Sequence, residues 1–309
     1  MGTPPPLASP ASGALQALGR LALARADLPI AVVGDATRLD LPPGLAPRIE
    51  TWEGLAWTDL ERWSRDAPGT GPRFILGDGH DLALGGFGVV HRSAAESALN
   101  LKWLGISPDP IVRRQAAIDL ALVRGLPTFL VAVPADAASA AAVVTTIADL
   151  DGPAYIRLAG QPLPVLPEVA WPVGGARELR AGGDLTVVAV GPPVHLGLEV
   201  ADELHRVGVE VRVLDLGWVK PFDARAVLRA ARETGAILTL EDDAAPTGLG
   251  TQVAAVVAEN HPVPVRRVGR PDLWIEPGSA ASAGAAVGVT RTRALEEAWE
   301  LLRGKGKVQ

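Results

Sequence analysis

The residues with the clearest potential for chemistry are an acidic triplet and a pair of arginines. Glu241, Asp242 and Asp243 form a run of consecutive carboxylates, which are ligands that hard divalent cations prefer. Arg113 and Arg114 could bind a phosphate group, because guanidinium donates paired hydrogen bonds to phosphate oxygens. An arginine at the start of a helix with no ligand is the alternative interpretation of this pair.

Several other kinds of chemistry are excluded. The sequence contains no cysteine, so it offers neither a thiolate nucleophile nor a thiolate metal ligand. It contains no nucleophile-elbow pattern, which leaves Ser-His-Asp catalysis without support. The stretch "GGFGVV" (85–90) lacks the third glycine and the later acidic residue of a dinucleotide-binding fingerprint.

Composition favours two domains and no binding of nucleic acid. A chain of 309 residues with 48% hydrophobic residues can bury a large core, and domains usually hold ~100–200 residues. The net charge of −6 indicates no concentrated basic face for phosphates. The start lacks a signal-peptide pattern, and no apolar run approaches the ~20 residues that span a bilayer. We therefore expect no membrane association and, by default, a cytoplasmic location.

Short β-rich runs alternate with alanine- and leucine-rich segments of helical period. This alternation predicts βαβ units, and hence an α/β protein of two doubly wound domains with largely parallel sheets. Several of the helical segments end in Gly or Asn, as helix C-termini do. The predicted strands are 30–35, 100–106, 128–134, 154–158, 185–191, 209–216 and 236–242, and the predicted helices are 12–26, 115–125, 195–208, 223–235 and 251–260.

A stretch rich in proline and glycine, 159–184, interrupts this alternation and predicts a domain boundary. We expect a flexible leader at 1–13, a first α/β domain at 14–160, a linker at 161–183 and a second α/β domain at 184–309.

The second half of the sequence contains recognisable motifs. The strings "VRVLDLGWVKPFD" (211–223), "ARETGAILTLEDD" (231–243) and "TGLGTQVAAVVAENHPVPVRRVGRPDLWIEPGS" (247–279), preceded by "DLALVRGLPTFLVAVPADA" (119–137), resemble the carboxy-terminal half of transketolases. The sequence is most similar to the smaller subunit of split transketolases. The resemblance covers most of 100–279, and it implies a pyrimidine-binding domain followed by a transketolase C-terminal domain.

The resemblance implies a thiamine diphosphate site shared between chains. In this family the diphosphate and Mg²⁺ lie on a separate domain, while the pyrimidine domain supplies a glutamate. That glutamate hydrogen-bonds the aminopyrimidine ring and promotes loss of the thiazolium proton. The family places this residue after the second strand, which points to Glu53, with Glu50 as the alternative. Glu53 could equally be a first-turn glutamate favoured by the helix dipole.

The partner expected from the resemblance is the large, diphosphate-binding transketolase subunit, in an α2β2 assembly. Every thiamine-dependent hypothesis requires such a partner, because half of the site cannot hold the cofactor alone. Trp52, Trp57 and Trp63 lie in one segment, and some of them could face a partner, although core packing is the default explanation. The acidic triplet matches a position that the family uses at a domain or subunit contact, and we prefer that role to a metal site.

Other positions that would contact the cofactor or the substrate differ from the family's sequence motifs. In "ILGDGHDLALGGFG" (75–88), Gly77 stands where an aromatic residue of the family stacks on the cofactor, which leaves His80 or Phe87 as substitutes. The "GDG" triplet (77–79) does not continue with the spacing of a Mg²⁺-diphosphate motif, so no metal site is expected there. The alternative for His80 is a solvated histidine in a glycine-rich loop.

The loop at "ISPDPIVRRQ" (106–115) is shorter than its family counterpart and lacks both of that loop's histidines. The family's "YLRLGR" is replaced by "YIRLAG" (155–160), which loses one arginine and keeps Arg157. The resemblance implies that Arg157 binds substrate, and Arg113 or Arg114 could replace the lost charge.

These features favour a small subunit of a transketolase-like enzyme that transfers a two-carbon ketol unit from a ketose to a small-molecule acceptor. The altered loops fit a non-standard acceptor, for example in secondary metabolism. A non-catalytic or regulatory pseudo-subunit is one alternative, because active-site loops drift when a ligand is lost. A 2-oxoacid dehydrogenase beta-type subunit, which would transfer an acyl group, is another.

Overall fold

The chain forms two compact units, Met1–Glu168 and Val169–Gln309. The division falls within 161–183, the segment predicted as a linker. The computed structural model describes residues 6–25, 27–33, 39–43, 45, 49–52, 59, 62–63, 66, 71–78, 100–107, 119–167, 171–271 and 288–306.

The first unit is built around a parallel sheet. Its elements are β1 (Leu7–Ala8), α1 (Pro10–Ala24), β2 (Ile30–Val33), β3 (Ile49–Trp52), β4 (Arg73–Asp78), β5 (Leu101–Ser107), α2 (Asp119–Arg124), β6 (Leu130–Ala132), α3 (Ala137–Ala148), β7 (Ala154–Ala159) and β8 (Leu163–Pro164). The strands of the sheet lie in the order β6-β7-β5-β4-β2-β3, and each neighbouring pair is parallel. A separate two-stranded ribbon pairs β1 with β8 antiparallel.

Helix α1 begins at Pro10, inside the segment 1–13 for which the sequence predicts a flexible leader. The hydroxyl of Ser9 caps this helix by accepting a hydrogen bond from the Ser12 N–H at 3.0 Å. Proline in the first turn loses no hydrogen bond, because that N–H has no partner within a helix. The capping signal therefore starts the helix earlier than its apolar periodicity indicates.

The packing of α1 against α3 depends on a glycine. A Cβ atom added at Gly13 would lie only 2.7 Å from the Cα of Ala137, whereas at Gly19 it would meet nothing closer than the Cβ of Pro42, at 3.6 Å. Gly13→Ala should therefore lower the free energy of unfolding by about 1–3 kcal/mol through overpacking. Gly19→Ala, in the same helix, should raise it by about 0.5–1 kcal/mol. Urea denaturation of both variants measures the difference, and equal effects would contradict the packing.

A buried lysine anchors the chain at the carboxyl end of α3. The Lys102 side chain is fully buried, and its Nζ donates hydrogen bonds to the carbonyl oxygens of Leu150 (2.8 Å) and Gly152 (2.5 Å). Burial lowers the pKa of Lys102 to about 8, and the nearby charge of Asp151 offsets part of that effect. The ammonium group thus binds the chain just after the helix, where carbonyl groups have no helical partner.

This lysine makes stability depend on pH. Between pH 8 and 10.5, the unfolded lysine keeps its proton while the folded one loses it, so stability should rise with pH. The rise should approach ~1.4 kcal/mol per pH unit within that window and vanish below it. Denaturation curves of wild type and Lys102→Met from about pH 7 to 11 isolate the contribution. If the stability of wild type and of Lys102→Met changed with pH in the same way, the pKa of Lys102 would not be lowered in the folded state.

The second unit also contains a mainly parallel sheet. Its elements are β9 (Arg177–Arg180), β10 (Leu185–Val190), α4 (Pro193–His205), β11 (Val211–Asp215), β12 (Trp218–Lys220), α5 (Ala224–Thr234), β13 (Ile237–Ala244), α6 (Leu249–Asn260), β14 (Val265–Arg270) and α7 (Arg291–Gly304). The strand order is β14-β13-β10-β11-β9, in which only β9 runs antiparallel to its neighbour. Strand β9 lies in the segment predicted as a linker. Its sequence, RELR, lacks the run of apolar residues that marks a central strand, and the strand lies at the edge of the sheet, where it pairs on one side only.

The prediction of an α/β fold with largely parallel sheets is confirmed. Buried aliphatic residues fill the strands of both units, as in sheets that are covered on both faces. Within the part of the chain that the structure describes, no helix combines the length and the apolar character needed to cross a bilayer.

Candidate active site

The carboxyl edge of the first sheet has the topology of a ligand crevice. The chain passes from β2 outward to β3, then returns past β2 to form β4 on its other side. The connections after β2 and β4 therefore leave in opposite directions, toward β3 and toward β5, and ligands of open parallel sheets bind outside the carboxyl ends at such a switch point. The segments that follow β2, β3 and β4 include 34–38, 53–58 and 79–99, which lie outside the described residues.

Three of the six sequence-predicted site residues, Glu53, His80 and Phe87, belong to these connections. Strand β3 ends at Trp52, so Glu53 is the next residue of the chain, and β4 ends two residues before His80. Among the predicted site residues, Arg157 is the one that the structure describes. The others, Glu53, His80, Phe87, Arg113 and Arg114, lie outside the described residues.

Glu50, the alternative to Glu53, occupies a different kind of position. It is the second residue of β3 and is exposed, in register with Ala31 of β2. Glu50 therefore lies within the strand, two residues before its carboxyl end at Trp52. By position in the chain, Glu53 is the glutamate that follows the strand.

A row of residues crosses the sheet near its carboxyl edge. Val33 is in register with Gly77, Gly77 with Gly105, and Gly105 with Arg157. Residues in register on parallel strands project from the same face, so Arg157 has no side chain beside it on β5 or β4. Glycine inside a strand often marks a place where a ligand or another backbone approaches closely.

Arg157 is held by a buried carboxylate at the start of α2. Its guanidinium donates to Oδ1 of Asp119 at 3.0 Å, and the Tyr155 hydroxyl donates to Oδ2 at 2.6 Å. The N–H of Leu120 also donates to Oδ1, at 2.8 Å. Asp119 has no exposed surface, whereas 10% of the Arg157 side chain remains accessible. No sequence motif indicates this pairing, because the two residues are 38 positions apart.

The acidic triplet lies at the end of β13 in the second unit. Glu241 is buried and accepts a hydrogen bond from the N–H of Gly250, at 3.0 Å, in the first turn of α6. Asp242 forms an ion pair with Arg270 at 2.8 Å, and Asp243 is buried. Among the described residues, no group of three or more His, Cys, Asp or Glu side chains could hold a metal ion. The metal hypothesis for this triplet therefore has no support in its geometry.

A second buried ion pair, which sequence reasoning missed, lies at the edge of the second sheet. Arg177 of β9 donates to Oδ2 of Asp215 from two nitrogens, at 3.0 and 2.5 Å. The Trp171 ring centroid lies 4.5 Å from the guanidinium carbon, close enough for a cation–π contact. Trp171 also packs against Trp218, with 5.9 Å between ring centroids. These contacts lie within the second unit and stabilise its fold.

Comparison with known proteins assigns the chain to a family. Residues 174–293 match the family model "Transketolase, C-terminal domain". The chain is 36% identical over 223 residues to a 6-deoxy-6-sulfo-D-fructose transketolase subunit of Clostridium sp. (strain MSTE9), covering 70% of this chain and 69% of that protein. It is 32% identical over 217 residues to an apulose-4-phosphate transketolase subunit of Phocaeicola vulgatus, covering 68% and 69%.

A solved structure described as a split gene transketolase in an inactive beta4 tetramer superposes with a TM-score of 0.82. The two chains are 28% identical, and the match covers 96% of this chain and 98% of that one. Both curated relatives are named as subunits of transketolases. The extent of these matches shows that the chain belongs to the transketolase family and is related to the subunits of its split members.

Proposed function

We propose that this chain is the pyrimidine-binding subunit of a split transketolase-like transferase. With a large subunit that holds the diphosphate and Mg²⁺, it would transfer a two-carbon ketol unit between a ketose and an aldehyde-type acceptor. The observation that carries the proposal is the position of Glu53 in the chain. It directly follows β3, at the carboxyl edge of a parallel sheet that has a topological switch point. In this topology, a carboxylate that follows β3 can reach a ligand in the crevice.

The described residues fit a thiamine ring at this edge. Gly77 and Gly105 lie side by side in the row that ends at Arg157, so β4 and β5 project no side chain at this level, near the carboxyl edge. When bound, thiamine diphosphate supplies the nucleophilic carbon that carries the ketol unit. Family membership implies this cofactor, and we assign the diphosphate and Mg²⁺ to the partner.

Each proposed site residue has a defined role. The Glu53 carboxylate hydrogen-bonds a ring nitrogen of the aminopyrimidine and moves a proton at that atom. His80 and Phe87 contact the ring, and Arg157 contacts the substrate. Arg113 and Arg114 are further candidates for substrate binding.

The acceptor is proposed to be non-standard. The two curated relatives are named for different substrates, 6-deoxy-6-sulfo-D-fructose and apulose-4-phosphate. Similar subunits therefore serve different sugars. The shortened segment 106–115, without histidine, supports a change of substrate here as well, in a pathway of secondary metabolism.

The proposal is tested on this chain co-purified with its large subunit. Calorimetric titration of thiamine diphosphate with Mg²⁺ should show binding to the complex and none to this chain alone. A ketol-transfer assay with hydroxypyruvate as donor should then show turnover, and light scattering should give the mass of an α2β2 complex. Binding without turnover for any acceptor would instead support the regulatory pseudo-subunit, which the altered loops also favour.

A further inference from the structure

The sheet of the second unit has a topological switch point of its own. The chain passes from β10 through α4 to β11 on one side, then returns past β10 to form β13 on its other side and continues through α6 to β14. The connections after β10 and β13 therefore leave in opposite directions. Open parallel sheets bind ligands in the crevice outside the carboxyl ends of such a pair of strands.

This crevice contains a side chain of the protein itself. Val190, the last residue of β10, is in register with Glu241 of β13, so Glu241 lies at the carboxyl end of the strand pair. Glu241 is only 1% exposed, and its Oε1 accepts a hydrogen bond from the N–H of Gly250 at 3.0 Å, in the first turn of α6. The carboxylate thus lies where the helix presents N–H groups that have no helical partner.

Helix α6 supplies no anionic group to its own amino end. Among the described residues of its first turn, none is acidic, and the N-cap residue, Gly248, provides no side-chain hydrogen bond. The positive end of a helix dipole and its unpaired N–H groups attract an anion, which is why phosphates and carboxylates bind at helix N-termini. The Glu241 carboxylate fills this role from the neighbouring strand.

Two glycines leave the room that the carboxylate occupies. A Cβ atom added at Gly250 would lie 2.7 Å from Oε1 of Glu241, and one added at Gly248 would collide with Oε2. A Cβ atom at Gly250 would also collide with Oγ1 of Thr239, which is 2% exposed. Within the described part of the chain, this hydroxyl has no hydrogen-bond partner. The turn therefore holds a second buried polar group, which Glu241 leaves unused.

We propose that the switch-point crevice of the second unit is an anion site that the chain fills with its own Glu241 carboxylate. In the intact chain, this carboxylate closes the crevice to phosphates and carboxylates from solution, because it occupies the space and repels their charge. A small carboxylate should bind there only after the Glu241 side chain has been shortened. This inference does not depend on the proposed transferase function.

The probe is acetate, which replaces the atoms that Glu241→Ala removes. Acetate can accept the hydrogen bond from Gly250 and, being untethered, can also reach the hydroxyl of Thr239. Glu241→Ala should lower the midpoint of thermal unfolding of the full-length chain by about 4–10 °C. Sodium acetate at about 0.1 M should then raise that midpoint by about 3 °C or more over sodium chloride of the same ionic strength. Wild type, whose crevice is filled, should shift by less than about 1 °C.

Two further variants separate the site from general effects of acetate. Glu259→Ala, on the exposed surface of α6, removes the same atoms outside the crevice and should not respond to acetate. Glu241→Gln fills the crevice and can accept the hydrogen bond from Gly250, but it carries no charge. Its midpoint should therefore fall by about 2–5 °C and stay the same in acetate and in chloride.

The inference is overturned if acetate leaves Glu241→Ala unchanged, or if it stabilises wild type and Glu259→Ala equally well. A wild-type midpoint in Glu241→Gln would also overturn it, because the charge of the occupant would then be irrelevant. If Glu241→Ala is obtained only in unfolded form, refolding in acetate and in chloride replaces the thermal experiment. Recovery of the native circular dichroism spectrum in acetate alone supports the anion site, and equal results in the two salts refute it.

Discussion

Replacing Glu53 with glutamine should lower kcat for ketol transfer by about 10²–10⁴-fold. Glutamine is nearly the same size as glutamate, but it can neither carry the negative charge nor exchange the proton that the aminopyrimidine requires. Because the residue follows β3 at the carboxyl edge, its replacement should not disturb the sheet. Steady-state kinetics of the purified complex measure the loss, and circular dichroism checks that the fold is retained.

Two further variants make the Glu53 result specific. Glu259→Gln, on the exposed surface of α6, is chemically matched and should retain full activity. Glu50→Gln tests the alternative glutamate within β3, and we expect it to have much the smaller effect of the two candidates. If Glu50→Gln abolished turnover while Glu53→Gln did not, the assignment would be reversed. Full activity in both would point to a pseudo-subunit or to a carboxylate elsewhere.

The second large effect is expected at the Arg177–Asp215 pair. Asp215→Asn keeps the shape of the side chain but leaves the Arg177 charge uncompensated. Because only 4% of that arginine is exposed, water cannot solvate the charge in place of the carboxylate. Loss of one partner from a buried ion pair typically costs about 3–5 kcal/mol of folding free energy. Urea denaturation followed by circular dichroism should show this loss.

An exposed pair in the same unit provides the control. Arg180 contacts Asp202 at 2.5 Å, but 69% of the Asp202 side chain is exposed, so solvent screens the interaction. Asp202→Asn should therefore change stability by less than about 1 kcal/mol. Equal losses for the two variants would mean that burial does not set the strength of the Arg177–Asp215 pair.

The parallel strands can be predicted closely from the sequence. The runs at 154–158 and 185–191 correspond to β7 (Ala154–Ala159) and β10 (Leu185–Val190), because strands covered on both faces need continuous apolar residues. Helix α3 is absent from the predicted helices. It contains alanine, valine and threonine with no charged residue to mark a polar face, so its helical period is weak.

The candidate site is predictable only in part. The position of Glu53 after a strand follows from order along the chain, and Arg157 can be named from a short motif. The Asp119–Arg157 pair cannot be predicted, because only the folded sheet brings β7 beside the start of α2. The same holds for Arg177 and Asp215, which are separated by 38 positions in sequence.

Strand β9 also determines where the second unit can be cut from the rest of the chain. A fragment beginning at residue 184 would lose β9 and turn β11 into an edge strand with unpaired backbone groups, a template for aggregation. It would also retain Asp215 without Arg177. A fragment beginning at Trp171 keeps the edge strand, the ion pair and the tryptophan beside it, and is therefore the natural starting point for expressing this unit alone.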